Sequence, residues 1–270
     1  MYKLWKRYLP ASVKNRSMVF WCNLISRFDT GDDLLFLNHG YAAPDGDPNT
    51  VDLDPGDEKN RYSIQLYHRL TASTDWHDKQ VLEVSSGRGG GADWVMRTFG
   101  PRSVVGLDIA KVSTEFCRRH FADPGLSFET GDAQAMPFAD GSFDIVFNVE
   151  SSLNYPDFDA YLREVDRVLR PGGRFLIADY RREKRLKRFE TALRAIGYQV
   201  VQIEDISAQI IRGLELSESR KVAVIEKYAP RLLRNTIQRF ARISNEDDSE
   251  YELFSSGKKG YLIAILEKPS

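Results

Sequence analysis

The sequence predicts an α/β protein: a mostly parallel sheet flanked by helices. Three observations predict it. Two apolar runs each carry an acid, Val81-Leu82-Glu83-Val84 and Val104-Val105-Gly106-Leu107-Asp108. The first breaks at once into a glycine-rich stretch, Ser85-Ser86-Gly87-Arg88-Gly89-Gly90-Gly91, with a helix expected from about Ala92. Short apolar runs and segments of helical period then alternate almost to the end of the chain, the pattern of strand–helix–strand units.

The elements follow in order. A strand that ends in a glycine loop lets backbone approach a ligand that side chains would exclude. Asp108 closes the second strand 21 residues past Gly87, a spacing that suits a carboxylate gripping the ribose hydroxyls of a nucleotide-like cofactor. Gly87-x-Gly89-x-x-Ala92 also satisfies the dinucleotide fingerprint, so the loop alone leaves the cofactor open. The third strand is expected at Leu126–Glu129, followed by Gly131-Asp132-Ala133, and the turn Gly141-Ser142 leads into a buried strand ending near Asn148. Tyr161, Leu162, Val165, Val168 and Leu169 mark a helix that stops at Arg170-Pro171-Gly172-Gly173, before a strand over 174–179. Residues 189–196 read as a helix stopped by Gly197, 198–203 as a strand and 261–266 as the last strand.

This order resembles the class I S-adenosylmethionine (SAM)-dependent methyltransferases from the glycine loop onward. The resemblance implies a Rossmann-like seven-stranded mostly parallel sheet and SAM as cofactor. By it, the loop cradles the methionine part, Asp108 holds the ribose, and Asp132 with Ala133 frames the adenine. Glu83, Ser85, Gly87, Gly89, Ile109 and Asn148 complete the expected cofactor set. A pyrophosphate-binding enzyme has no need of the Gly-Asp-Ala or Leu-Arg-Pro-Gly-Gly segments. One departure stands out: the family usually has glycine where this chain has Ser85, and a serine forced to φ > 0 there costs on the order of 1 kcal/mol.

Around that core, 1–75 is expected to be an N-terminal helical extension or lid and 76–204 the SAM-binding core. Residues 205–245 then form a helical cap insertion roofing the acceptor, and 246–270 complete the sheet. The segments 33–41 and 60–70, together with Asn148-Val149-Glu150-Ser151-Ser152-Leu153-Asn154-Tyr155-Pro156, sharpen the resemblance. The chain is similar to the phthiotriol/phenolphthiotriol dimycocerosate methyltransferases and related lipid, polyketide and terpenoid methyltransferases. The acceptor implied is small and apolar, lined by Tyr41, Tyr67 and Tyr155, and methylated at a hydroxyl oxygen. The alternative is methylation at carbon of a prenyl chain, with Arg181-Arg182 and Lys184-Arg185 holding a diphosphate. A non-catalytic SAM-binding scaffold is the third reading.

A hydroxyl acceptor must lose a proton, which calls for a base near the methyl. Glu150 lies just past an apolar strand, at the carboxyl end where parallel sheets place ligands. His39, in Leu37-Asn38-His39-Gly40-Tyr41, falls where a lid would lie and is the second candidate. No histidine, cysteine and carboxylate cluster has metal-ligand spacing, so no metal is expected.

Composition bounds the rest. A chain of 270 residues fits one α/β domain with extensions, and a net charge of −1 writes no general attraction to nucleic acid into it. Two cysteines make no disulfide framework, consistent with a cytoplasmic setting. The early apolar stretch Met18–Ile25 is too short to span a bilayer and lacks a cleavage site for a signal peptide. Charge is unevenly spread: residues 1–28 carry Lys3, Lys6, Arg7, Lys14, Arg16 and Arg27 among aromatic residues and no acid, whereas 29–58 carry acids only. A basic aromatic helix can touch a membrane surface. Packing on the catalytic domain, or on a second subunit in a homo-oligomer, is the plainer expectation.

Overall fold

The computed structural model describes residues 33–44, 46–47, 50–228 and 249–270. The basic aromatic segment 1–28 and the end of the expected cap, 229–245, lie outside the described residues. Seven strands form one sheet: β1 (Gln80–Val84), β2 (Ser103–Asp108), β3 (Leu126–Thr130), β4 (Phe143–Val149), β5 (Leu169–Arg182), β6 (Gln199–Asp205) and β7 (Lys259–Glu267). Their order is β3-β2-β1-β4-β5-β7-β6. β1 through β5 pair in parallel, and β7 runs antiparallel between β5 and β6. The order reverses between β1 and β4, which opens a crevice beyond their carboxyl ends.

The helices are α1 (Arg61–Thr71), α2 (Gly90–Phe99), α3 (Lys111–His120), α4 (Phe158–Val168), α5 (Glu183–Ala195), α6 (Ser207–Tyr228) and α7 (Glu250–Ser255). Local chemistry sets their ends. Asp157 caps α4 by accepting the Ala160 N–H at 2.8 Å, and Ser249 caps α7 by accepting the Glu252 N–H at 3.1 Å. Gly100, at φ +55°, closes α2 in the left-handed conformation. Both sheet faces are dry. One carries Tyr67, Trp76, Trp94, Phe147 and Ile263; the other carries Tyr161, Leu162, Phe175, Leu193 and Leu262. Phe147 and Phe175 are fully buried, each contributing about 2–3 kcal/mol by removal from water.

Three boundaries differ from expectation. Helix α2 starts at Gly90, two residues before Ala92, and α5 starts at Glu183, six before Phe189. The Arg170-Pro171-Gly172-Gly173 stop does not precede β5 but lies inside it. There the pairing with β4 jumps from Phe143↔Leu169 to Ile145↔Arg174, and Gly172 takes φ +72°. Helix α6 runs unbroken through the first part of the expected cap. Among the described residues, no helix is long and apolar enough to cross a membrane.

Residues 33–44 form a strap without regular structure that crosses the carboxyl end of the sheet. A Cβ on Gly90 would sit 2.8 Å from the Leu35 carbonyl oxygen, so the strap lies directly on the start of α2. It is then tied by the Tyr41 N–H to the Tyr62 carbonyl at 2.8 Å and by the Ala42 N–H to the Gln209 carbonyl at 3.1 Å. Gly40 and Gly213 meet where the strap passes α6: a Cβ on Gly213 would stand 2.7 Å from the Gly40 oxygen.

Candidate active site

The glycine loop leaves β1 through Ser85, which adopts φ +60°. The strain expected of a serine at this place is therefore present, and a hydrogen bond of 2.7 Å between Ser85 Oγ and the Tyr155 hydroxyl opposes it. Gly87 at φ +55° and Gly89 at φ +79° continue the turn. At Gly89 a side chain would meet the rings of Phe121 and Phe128 within 3 Å, so glycine is required there twice over.

Asp108 faces this loop from the end of β2. Its Oδ2 accepts the Gly87 N–H at 2.9 Å and its Oδ1 the Ala110 N–H at 2.7 Å. Burial raises its pKa, and the two backbone donors only partly oppose the shift. Among the described residues no cation pairs with it, so lone pairs remain for hydroxyl donors such as those of a ribose. Ile109, the next residue, is 47% exposed, an apolar surface beside the carboxylate on which a flat ring can pack. Asp132 turns its Oδ1 to the Gln134 N–H at 2.9 Å, and Ala133 is buried behind it. Asn148, at the end of β4, donates from Nδ2 to the Val84 carbonyl at 3.0 Å and to the Tyr155 hydroxyl at 2.9 Å. Asn148 Oδ1 and Ser86 Oγ are buried and have no partner among the described residues. Two unsatisfied polar atoms, a carboxylate without a cation and an exposed isoleucine along one loop fit a nucleoside sulfonium such as SAM.

Glu83 is buried at the end of β1, its Oε1 accepting the Tyr67 hydroxyl at 2.8 Å and the carboxylate also accepting the Ala92 N–H, while its Oε2 has no partner among the described residues. Burial pushes its carboxyl up to about 8, against those two donors. It fastens α1 and α2 behind the loop. Tyr67, expected to line the acceptor, is used in that contact, and its ring lies so close over Gly91 that a Cβ there would overlap it. Tyr41 is buried beside the Arg69 guanidinium, which opposes the rise that burial imposes on its phenol. Tyr155, the third expected acceptor residue, joins Ser85, Asn148 and Ser151 on the cofactor side.

Glu150 and His39, chosen separately from the sequence, meet. Glu150 takes φ +53°, which lifts its side chain out of the β4 ladder toward the strap. The His39 N–H donates to Glu150 Oε1 at 2.9 Å, His39 Nδ1 is hydrogen-bonded to Glu150 Oε2, and the Tyr261 hydroxyl donates to Oε1 at 3.1 Å. On its other side His39 Nε2 lies 3.5 Å from Glu250 Oε2. Burial alone would lower the His39 pKa. The Glu150 carboxylate, with a smaller contribution from Glu250, reverses this and holds the ring as imidazolium up to about 9. Lys259 Nζ sits 2.6 Å from Glu250 Oε2 and 4.5 Å over the Tyr180 ring, and Lys221 Nζ donates to the His39 carbonyl at 2.8 Å.

Sequence reasoning missed Tyr261, Glu250, Lys221 and Lys259. They come from α6, α7 and β7, where no motif marks them; an exposed-looking charge in a helical insertion carries no local sign that the fold buries it. The backbone after Glu150 is held by Asp179 Oδ2, which accepts Ser152 Oγ at 2.6 Å and the Leu153 N–H at 3.1 Å. Arg181 pairs with Asp179 Oδ1 at 2.9 Å and stacks 4.4 Å over Phe189. This arginine is therefore engaged in the fold, while Arg182, Lys184 and Arg185 are exposed. Among the described residues no group of histidine, cysteine and carboxylate could hold a metal.

Comparison with known proteins agrees with this fold. Residues 82–177 match the methyltransferase domain family. The chain is 43% identical over 229 residues to a fatty-acid O-methyltransferase of Mycolicibacterium smegmatis, covering 83% of each chain. It is 36% identical over 267 residues to a phthiotriol/phenolphthiotriol dimycocerosates methyltransferase of Mycobacterium tuberculosis, covering 99% of this chain and 97% of that one. Among solved structures, a putative sarcosine dimethylglycine methyltransferase of Galdieria sulphuraria superposes with a TM-score of 0.67 at 17% identity, over 86% of this chain and 93% of that one. A geranyl diphosphate C-methyltransferase of Streptomyces coelicolor A3(2), solved with S-adenosyl-L-homocysteine, superposes with a TM-score of 0.64 at 16% identity, over 96% of this chain and 100% of that one.

Proposed function

The chain belongs to the SAM-dependent methyltransferases, and we propose that it moves the methyl group to an oxygen atom of an apolar lipid acceptor. The observation that carries this reading is the Glu150–His39 pair at the carboxyl end of β4, next to the cofactor-side cluster of Asn148, Ser85 and Tyr155. SAM supplies an electrophilic methyl on a sulfonium. Ser85, Gly87, Gly89, Asp108, Ile109 and Asn148 hold and orient it, with Asp132 and Ala133 beside the adenine. Glu83 supports the loop from behind. The strap and α6 exclude water from the acceptor, so that alignment and desolvation supply much of the rate. An acceptor hydroxyl loses its proton to the Glu150 carboxylate, which His39 orients, whereas a carboxylic acid is already ionised at neutral pH and needs no base.

Both relatives above are named for lipid acceptors, which supports the apolar class. Carbon methylation of a prenyl diphosphate has less support, because Arg181 is engaged with Asp179 and Phe189. The test is incubation with methyl-labelled SAM and a panel of fatty acids, fatty alcohols, phenolic lipids and prenyl diphosphates. Label in a methyl ester or ether is expected; a C-methylated product overturns the reading.

We also assign a lid or extension role to 1–75, a core role to 76–204, a roofing role to the cap 205–245, and completion of the core sheet to 246–270. The basic aromatic segment 1–28 is assigned to a protein contact, on this core or on a second copy, in a cytoplasmic enzyme. Deletion of that segment with unchanged mass in solution and unchanged activity overturns the assignment.

A further inference from the structure

The strap inverts the usual placing of side chains: Leu37 stands 49% exposed, whereas Asn38 beside it is only 8% exposed. Flanking contacts fix where Asn38 lies. Leu35 rests on Gly90 at the start of α2, and the His39 N–H meets Glu150 just past β4. Asn38 therefore crosses the crevice between the ends of β1 and β4. Its Nδ2 donates to the Ser63 carbonyl at 3.2 Å, which sets the orientation of the amide and leaves Oδ1 as the group still to be satisfied. That oxygen is buried and has no partner among the described residues. An amide oxygen kept dry and unpaired is costly unless a ligand brings the donor.

Other atoms around the crevice share this condition. Ser86 Oγ, Asn148 Oδ1 and Glu83 Oε2 are also buried without a partner among the described residues. A surplus of acceptors calls for a ligand rich in N–H and O–H groups. SAM carries such donors in three places: the ribose hydroxyls, the adenine amino group and the ammonium of its methionine part. Asp108 and Asp132 follow β2 and β3, on the side assigned to the nucleoside. The strap enters over the opposite side, between α2 and β4.

We propose that Asn38 is a cofactor-binding residue, its Oδ1 accepting a hydrogen bond from the ammonium of the methionine part of SAM. An ammonium presents three donors and no acceptor, which suits a bare carbonyl oxygen. The methionine carboxylate brings no donor, and Asn38 Nδ2 is already committed to Ser63. The proposal is independent of which acceptor atom is methylated. Because His39 follows Asn38 directly, a ligand held by Asn38 also steadies the strap residue that meets Glu150.

The test is calorimetric binding of S-adenosylhomocysteine, and of its deamino analogue in which hydrogen replaces the amino group, to wild type and Asn38→Ala. Asn38→Ala should weaken S-adenosylhomocysteine by roughly 10- to 100-fold and the analogue by less than about threefold. Loss of the Ser63 contact falls on both ligands alike, so the difference between them isolates the ammonium. Equal weakening of both, or of neither, overturns the proposal. Weakening of SAM with S-adenosylhomocysteine unchanged overturns it too, since that would put the oxygen beside the transferred methyl. Hydrogen exchange on wild type supplies a readout that needs no variant. At saturation, S-adenosylhomocysteine should slow exchange of the His39, Tyr41 and Ala42 amides at least about tenfold more than the analogue does. Equal protection by the two ligands overturns the proposal even if Asn38→Ala fails to fold.

Discussion

His39 and Glu150, 111 residues apart in sequence, are joined twice: once through the backbone N–H of His39 at 2.9 Å and once through its ring. One carboxylate thereby fixes both the position of the strap and the orientation of the imidazole. A side chain that touches only the ring could not do the first.

Replacing Glu150 by Gln keeps shape and reach but removes the charge. Turnover of a hydroxyl acceptor is expected to fall by about two to four orders of magnitude, with SAM affinity little changed. Steady-state kinetics alongside calorimetry separate the two. A wild-type rate would reduce Glu150 to a turn residue, with His39 the next candidate.

The same pair makes the strap sensitive to alkali. The His39 pKa is raised from 6.5 to about 9 in the fold. A raised pKa contributes stability that is complete below about 6.5 and is lost as pH climbs through about 9. The unfolding midpoint of wild type should therefore exceed that of His39→Asn at pH 6 and converge with it by about pH 10. Glu83 also titrates upward with the same sign, and Lys221 with the opposite sign; both are present in either protein, so the difference reports His39. A constant gap across the range would remove the ion pair from the account.

Asp108→Ala removes an acceptor of two loop N–H groups and the proposed partner of the ribose hydroxyls. SAM affinity should fall by roughly 1–3 kcal/mol. Calorimetry on a folded variant with unchanged affinity would take the residue out of the ribose site.

Gly91→Ala should lower the unfolding free energy by about 1–3 kcal/mol, since the new methyl overlaps the Tyr67 ring. Combined with Tyr67→Ala, which removes the ring, the loss should be smaller than the sum of the two single changes. Denaturant titration of the three variants measures the coupling. Strict additivity would mean that the ring and the loop do not press on one another.

The parallel core was legible in the sequence because β1, β2 and β4 are largely buried on both faces and end in marked turns. Val81–Val84, Val104–Asp108 and Phe143–Val149 are runs that periodicity reads directly, and Ser85 announced its strain by replacing the usual glycine. Glu150 and His39 were legible as candidates but not as partners, because nothing local links a strap residue to the end of β4. Tyr67 looked like a ligand-lining aromatic since its phenol gave no sign of its appointment with Glu83. Lys221 was invisible for the same reason, read as one charge in a helical repeat until the fold closed over it. Inside β5, the Pro-Gly-Gly stop misled because a register shift absorbs it without ending the ladder.

The crossing of Gly40 and Gly213 has a mechanical consequence. With no clearance between backbones there, the chain from Leu35 to Ala42 is threaded beneath α6 like a belt through its keeper. Breaking the His39–Glu150 latch frees one end only. The belt cannot rise until the keeper does, so any opening of the strap would have to carry α6 with it.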